Sequence, residues 1–220
     1  MSDPGLRERK KRRMYQAVSD TAVRMFLERG FDAVSVAEVA AAAEISKPTL
    51  FRYFPAKEDL VLHRIADHER EAARVVEDGR AEGVAPLVAL RRHFLAGIAA
   101  HDPITGLNDH PAVRAFYDLL YGTPSLVARL HAYLERSEAA LAEVLGGDLA
   151  ARLAAGQIIA VRRILAEENW RRISAGEPVE DVREDAVGAA ERAFATLEAG
   201  LPYLAMPGST GVTRQSGVTR

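Results

Sequence analysis

The chain contains no cysteine. That excludes a disulfide framework, a zinc site built on thiolates and a cysteine nucleophile, and it suits a reducing cytoplasm. No apolar run approaches the roughly 18 residues of a spanning helix, so no membrane partner is expected. No apolar stretch follows the charged N-terminus as in a secretory signal. Alternation of apolar and polar residues, the mark of a half-buried strand, is absent. So are GxSxG, the P-loop, HExxH and the Rossmann glycine pattern. The six histidines form no recognisable nucleophile–base set, so the chain does not read as an enzyme and no cofactor is expected. His101, Asp102, Asp109 and His110 sit together in HDPITGLNDH, but their spacing matches no metal signature. Asp and Asn beside proline are ordinary turn residues.

What is present is helical periodicity. The 220 residues are 48% hydrophobic and 27% charged, with a net charge of −2. The charge is unevenly spread. Residues 1–65 hold 12 Lys/Arg and 9 Asp/Glu, net +3, and the remainder holds 17 and 22, net −5. Residues 7–13, RERKKRR, carry six cations. A positive end on an acidic body points to an anionic partner for that end.

A first helix is predicted from about Lys10 to Arg29, with Tyr15, Val18, Ala22, Met25 and Phe26 on one stripe and Gly30 as its C-cap. Ser35 with Glu38 three residues on forms a capping box that starts a second helix near Val36. Ser46 is the N-cap of a third, with Pro48 tolerated in its first turn. Pro55 ends it, and one long helix is predicted from Lys57 to about Asp78. Gly79, Gly83 and Pro86 mark a break. Further helices are predicted at about 86–100, 111–121, 124–145, 148–174 and 179–204. Residues 205–220 read as a disordered tail.

Two short helices joined by Ala43-Glu44-Ile45 and braced by a longer one make a helix-turn-helix over 35–54. Leu50 and Phe54, four apart, share an inward face. Lys47, Pro48, Thr49, Phe51, Arg52 and Tyr53 are left for the outside or the rim. They offer cations, a hydroxyl and apolar groups suited to base edges, thymine methyls and phosphates. Lys57 adds a cation at the next helix start.

At this point the sequence resembles the DNA-binding domain of the TetR family of bacterial transcriptional regulators. The similarity lies in FLERGFD (26–32), SVAEVA (35–40), ISKPTLFRYF (45–54) and KEDL (57–60). It implies that the third helix enters the major groove, that Lys47, Pro48, Thr49, Phe51 and Tyr53 touch DNA, and that Lys57 touches phosphate. With Ser35 and Arg52 these are the candidate DNA-contacting residues. Two positions depart from the pattern: Glu44 stands where the turn usually has glycine, and Phe51 where tyrosine is usual.

The resemblance further implies a C-terminal domain that dimerises and holds a small-molecule effector. The expected fold is all-α: a DNA-binding domain at 10–65 and a ligand-binding and dimerisation bundle at 66–204. Ala150, Ala151, Ala154, Ala155 and Gly156, and the stripe Val182, Ala186, Ala190, Ala193, Phe194, Leu197 and Leu201, are the candidate homodimer surfaces. Candidate pocket residues are Phe94, Phe116, Tyr117, Tyr121, Tyr133, Arg162, Asn169 and Trp170, with His93 and Arg163 nearby. HPAVRAFYDLL and AVRRILAEENWRRI are similar to acyl-CoA-like ligand-binding domains of actinobacterial members, which implies a lipophilic or acyl-type effector. The expected function is a cytoplasmic repressor that binds a palindromic duplex operator as a homodimer. A helical protein–protein adaptor with a non-functional helix-turn-helix is the alternative.

Overall fold

The computed structural model describes residues 4–66 and 68–206. Among them it contains ten α-helices and no strand. In chain order these are α1 Pro4–Arg29, α2 Val36–Ala42, α3 Lys47–Tyr53, α4 Asp59–Ala66 and α5 Glu71–Ala81. There follow α6 Pro86–Ala99, α7 Pro111–Gly122, α8 Pro124–Leu145, α9 Leu149–Ser174 and α10 Val179–Gly200. Residues 207–220, most of the expected tail, lie outside the described residues.

Contacts divide the chain into two units: Met1–His68 with His110–Tyr133, and Glu69–Asp109 with Leu134–Arg220. The first unit is built on α1, whose Val18, Ala22, Val23 and Phe26 are buried with Phe31, Val34, Val39 and Leu60. Ser19, also buried, donates its hydroxyl to the Leu60 carbonyl at 2.7 Å. The first helix begins six residues earlier than the apolar stripe alone indicated, because residues 4–9 carry no apolar periodicity to read.

The second unit has one apolar core spanning α5, α6, α8, α9 and α10, including Val76, Leu90, Phe94, Leu141, Ala154, Ile158, Val182, Phe194 and Leu204. The single helix expected over 57–78 is two. It stops at Ala66 and restarts at Glu71, without proline or glycine to announce the break. Ion pairs far apart in sequence flank the restart: Glu69 with Arg136 at 2.8 Å and Glu71 with Arg162 at 3.0 Å. Gly79 is not a break but a buried residue inside α5. A Cβ there would lie 2.8 Å from that of Ala89, so the glycine lets α5 and α6 approach closely. The last helix ends at Gly200 rather than 204. Leu201, which precedes Pro202, leaves the helical conformation at φ −130° and ψ 57°, as the crowding of a following proline disfavours the α region, and a 3₁₀ turn covers 202–204.

The small and apolar residues expected at a dimer surface mostly serve this core. Ala151, Ala154, Ala155, Val182, Ala186, Ala190, Phe194, Leu197 and Leu201 are buried within the chain. The large apolar side chains that α9 leaves outside are Leu149, Leu153 and Ile164, at 68%, 60% and 55% exposure.

Candidate nucleic-acid interface

Both ends of α2 are closed by its own sequence. The Ser35 hydroxyl accepts the Glu38 N–H at 3.2 Å, and the Glu38 carboxylate accepts the Ser35 N–H at 2.8 Å. The Ser35 backbone hydrogen bond, with Arg29 at 2.7 Å, holds the Glu38 carboxyl well below its usual range, at about 2. At the other end Ile45 N–H bonds to the Ala40 carbonyl and Glu44 N–H to that of Ala41. This is a Schellman closure, which needs a left-handed residue. Glu44 fills that place with φ of 55°, so the departure from glycine leaves the turn intact with a strained backbone.

The start of α3 is fixed by Ser46, whose hydroxyl accepts the Thr49 N–H at 3.2 Å and lies 2.8 Å from the Thr49 hydroxyl. Leu50 and Phe54 are buried and dock the helix. Phe54 caps it in an extended conformation ahead of Pro55. With that face spent, Lys47, Pro48, Phe51 and Arg52 are exposed and Thr49 and Tyr53 half-buried.

Phe51 is 40% exposed, with the Lys47 ammonium 5.8 Å from its ring centre. It belongs to the outer face, not the core. Tyr53 is oriented from two sides. Arg52 donates to its hydroxyl at 2.8 Å and lies over its ring, and Tyr15 of α1 packs 4.9 Å from it. Tyr15 also meets Phe54 and His63. Its place on the inward stripe of α1 was readable from the sequence, but not its partners.

Lys57 is not a free cation. Its ammonium donates to the Phe31 carbonyl at 2.5 Å and sits 4.3 Å from the Phe31 ring centre. Beyond it, the Asp59 carboxylate accepts the Ala56 N–H and a two-point grip from Arg129. A pair 70 residues apart leaves no local trace in the sequence.

The candidate pocket residues divide between the units. In the first, Phe116 is buried, with the Arg64 guanidinium 5.6 Å from its ring centre. Tyr117 meets Phe116 edge-on and stacks on Tyr121 at 6.0 Å, and Tyr133 is half-buried. In the second, Phe94 lies in the core against Phe194, Arg162 is engaged by Glu71, and buried Asn169 donates to the Thr105 carbonyl at 2.9 Å. There Gly106 approaches α9 so closely that a Cβ would fall 1.9 Å from the Ala166 carbonyl oxygen and 2.9 Å from the Trp170 nitrogen. The loop 101–110 is thus fastened to α9. Its Asp102 and His110 side chains cap the 3₁₀ turn 103–105 and α7.

Two short capped helices, one docked so that cations and small groups face outward, define a helix-turn-helix DNA-binding module. Residues 19–63 match the model of the bacterial regulatory proteins, tetR family, and the module belongs to that family. The chain is 34% identical over 137 residues to the HTH-type transcriptional regulator TcmR of Streptomyces glaucescens, covering 61% of this chain and 58% of that one. It is 29% identical over 77 residues to the uncharacterized HTH-type transcriptional regulator YuxN of Bacillus subtilis (strain 168), covering 35% and 26%. It therefore spans under two thirds of the length of either. Among solved structures, a TetR-family regulator from Streptomyces coelicolor A3 shares the fold with a TM-score of 0.54 and 20% identity, over 90% of this chain and 98% of that one. NalD, the secondary repressor of the MexAB-OprM multidrug efflux pump in Pseudomonas aeruginosa, does so at 0.51 and 16%, over 87% and 97%.

Proposed function

We propose that this chain is a ligand-responsive transcriptional repressor that acts in the cytoplasm and binds a palindromic duplex operator as a homodimer. The observation that carries this is the outward face of α3, where Lys47, Pro48, Phe51 and Arg52 are exposed on a helix whose opposite face is docked by Leu50 and Phe54. Within the 10–65 domain, Thr49 and Phe51 are assigned to base edges. Pro48 also suits a thymine methyl, Lys47 and Arg52 suit guanine acceptors or phosphates, Tyr53 and Lys57 suit phosphates, and Ser35 completes the candidate set.

One seven-residue helix reads only a few base pairs. Two heads related by a two-fold axis, about 34–36 Å apart, read successive major grooves. The exposed Leu149, Leu153 and Ile164 of α9 suit a self-complementary apolar contact. A small lipophilic or acyl-type effector would release the operator through its differential affinity for the two head spacings.

Selection of bound sequences from a random duplex pool tests the reading. A palindrome whose binding weakens steeply with salt is expected, since phosphate contacts release counterions. Enrichment of no duplex would overturn it in favour of the adaptor. Loss of operator affinity in Thr49→Ala and Tyr53→Ala tests the face itself.

A further inference from the structure

Tyr53 is the last residue of α3, a helix of seven residues, and the end of so short a helix holds itself poorly. Phe54, next in the chain, has already left the helical conformation, at φ −128° and ψ 91°. The Tyr53 ring is nonetheless fixed from α1, where the Tyr15 ring lies 4.9 Å away between centres at an interplanar angle of 57°. Tyr15 is itself held in place. It meets Phe54, which is 2% exposed, at 5.3 Å and His63 of α4 at 5.5 Å. One ring of α1 thus braces the end of the reading helix.

The consequence falls on Arg52. Successive residues of a helix point about 100° apart and do not face one another. The Arg52 side chain nevertheless turns along the surface to its neighbour. Its Nη2 donates to the Tyr53 hydroxyl at 2.8 Å, and its guanidinium carbon lies 4.8 Å from the ring centre. The guanidinium is therefore drawn toward the C-terminal end of α3, whereas a recognition helix reads base edges with its N-terminal residues. A guanidinium has five N–H donors, so the bond to Tyr53 leaves others for an anion. An exposed arginine already held in one place also loses less freedom on binding than one that its ligand must order.

We infer that Arg52 contacts a backbone phosphate rather than a base, that Tyr53 holds it there, and that Tyr15 is the positioning residue for both. This rests on the DNA-binding reading above. The test uses the full chain and the duplex enriched from the random pool.

Arg52→Gln should lower the slope of log affinity against log salt by about 0.9, the value of one phosphate contact. A fresh selection with that variant should return the same sequence. An unchanged slope or a changed base preference would overturn the phosphate assignment. Tyr15→Leu should weaken binding by about two- to tenfold, the range of an aromatic pair contact. Tyr15→Phe, which keeps the ring, should bind like the wild type. In a Tyr53→Ala background, Tyr15→Leu should add no further loss. A role in packing alone would give the same loss in both backgrounds, and that additivity would overturn the positioning role. So would a Tyr15→Phe variant that binds as weakly as Tyr15→Leu. Without DNA, the side-chain order of Arg52 measured by NMR should be high in the wild type and in Tyr15→Phe and lower in Tyr15→Leu. Equal order in all three would show that Tyr15 braces nothing. If the wild type itself enriches no duplex, it is the DNA-binding reading that fails, and the order of Arg52 still decides the brace.

Discussion

The Arg129 guanidinium grips the Asp59 carboxylate at two points, Nε to Oδ1 at 2.8 Å and Nη2 to Oδ2 at 3.0 Å. The same carboxylate accepts the Ala56 N–H at 2.9 Å, so one acidic residue ties α8 to the corner that follows α3. A planar fork on a carboxylate is the strong form of this contact. Asp59 is 14% exposed but Arg129 38%, and solvent screening discounts the pair. Arg129→Ala is expected to cost about 1 kcal/mol in a denaturant titration and to speed amide exchange at Ala56. Arg129→Lys should recover only part, since an ammonium cannot grip both oxygens. Unchanged exchange at Ala56 in the Ala variant would show that the corner holds without the clamp.

Two left-handed residues should respond to substitution with opposite signs. Glu44 carries a side chain at φ of 55°, which costs an L-residue about 1–2 kcal/mol. Glu44→Gly should therefore raise stability, by about 0.5–1 kcal/mol once the greater freedom of the unfolded glycine is counted. Gly106 has φ of 72° and no room for a Cβ against the Ala166 carbonyl. Gly106→Ala should cost more than about 3 kcal/mol or prevent folding of the second unit. Thermal unfolding of both variants beside the wild type decides each.

Glu38 gives a pH dependence of known sign. Its carboxyl is held at about 2, against an ordinary value of 4.5. A depressed acid contributes stability that is fully present above its ordinary value and is lost as pH falls through the folded one. The wild type should therefore melt above Glu38→Gln at pH 7, and the gap should close as pH falls from 4.5 toward 2. A gap that stays constant over that range would mean that the capping box does not depend on the charge.

Lys57→Ala should act twice. It removes an ammonium from the Phe31 carbonyl and ring, at a cost of about 1 kcal/mol in stability. It should also weaken binding to every duplex alike and lower the salt slope by about 0.9. Melting and binding measured on the same preparation separate the two effects. An unchanged melting temperature would leave phosphate contact as the sole role.

What the sequence disclosed was what short range controls. The capping box at Ser35, the proline in the first turn of α3 and the inward pair Leu50 and Phe54 are set by residues three or four apart, and spacing alone reveals them. The break between α4 and α5, the Arg129–Asp59 clamp and the Lys57–Phe31 contact join residues 26 to 91 positions apart, and no local pattern encodes them. The stripes on α9 and α10 announced burial but not its partner. Ala154 or Phe194 looks the same in sequence whether it packs on its own chain or on a second copy. Phe51 is placed on the outer face by spacing, but its ring type alone does not fix that. Its ring suits a core or a thymine methyl, and the packing of Leu50 and Phe54 leaves it outside.

The first unit is assembled from two stretches of chain, Met1–His68 and His110–Tyr133. During synthesis the reading helix emerges long before the segment that carries Arg129. At roughly 5–20 residues per second, several seconds pass in which α3 exists without that support. An N-terminal fragment ending near residue 65 would stay in this state permanently, so an excised reading head would be a poor stand-in for the head within the whole chain.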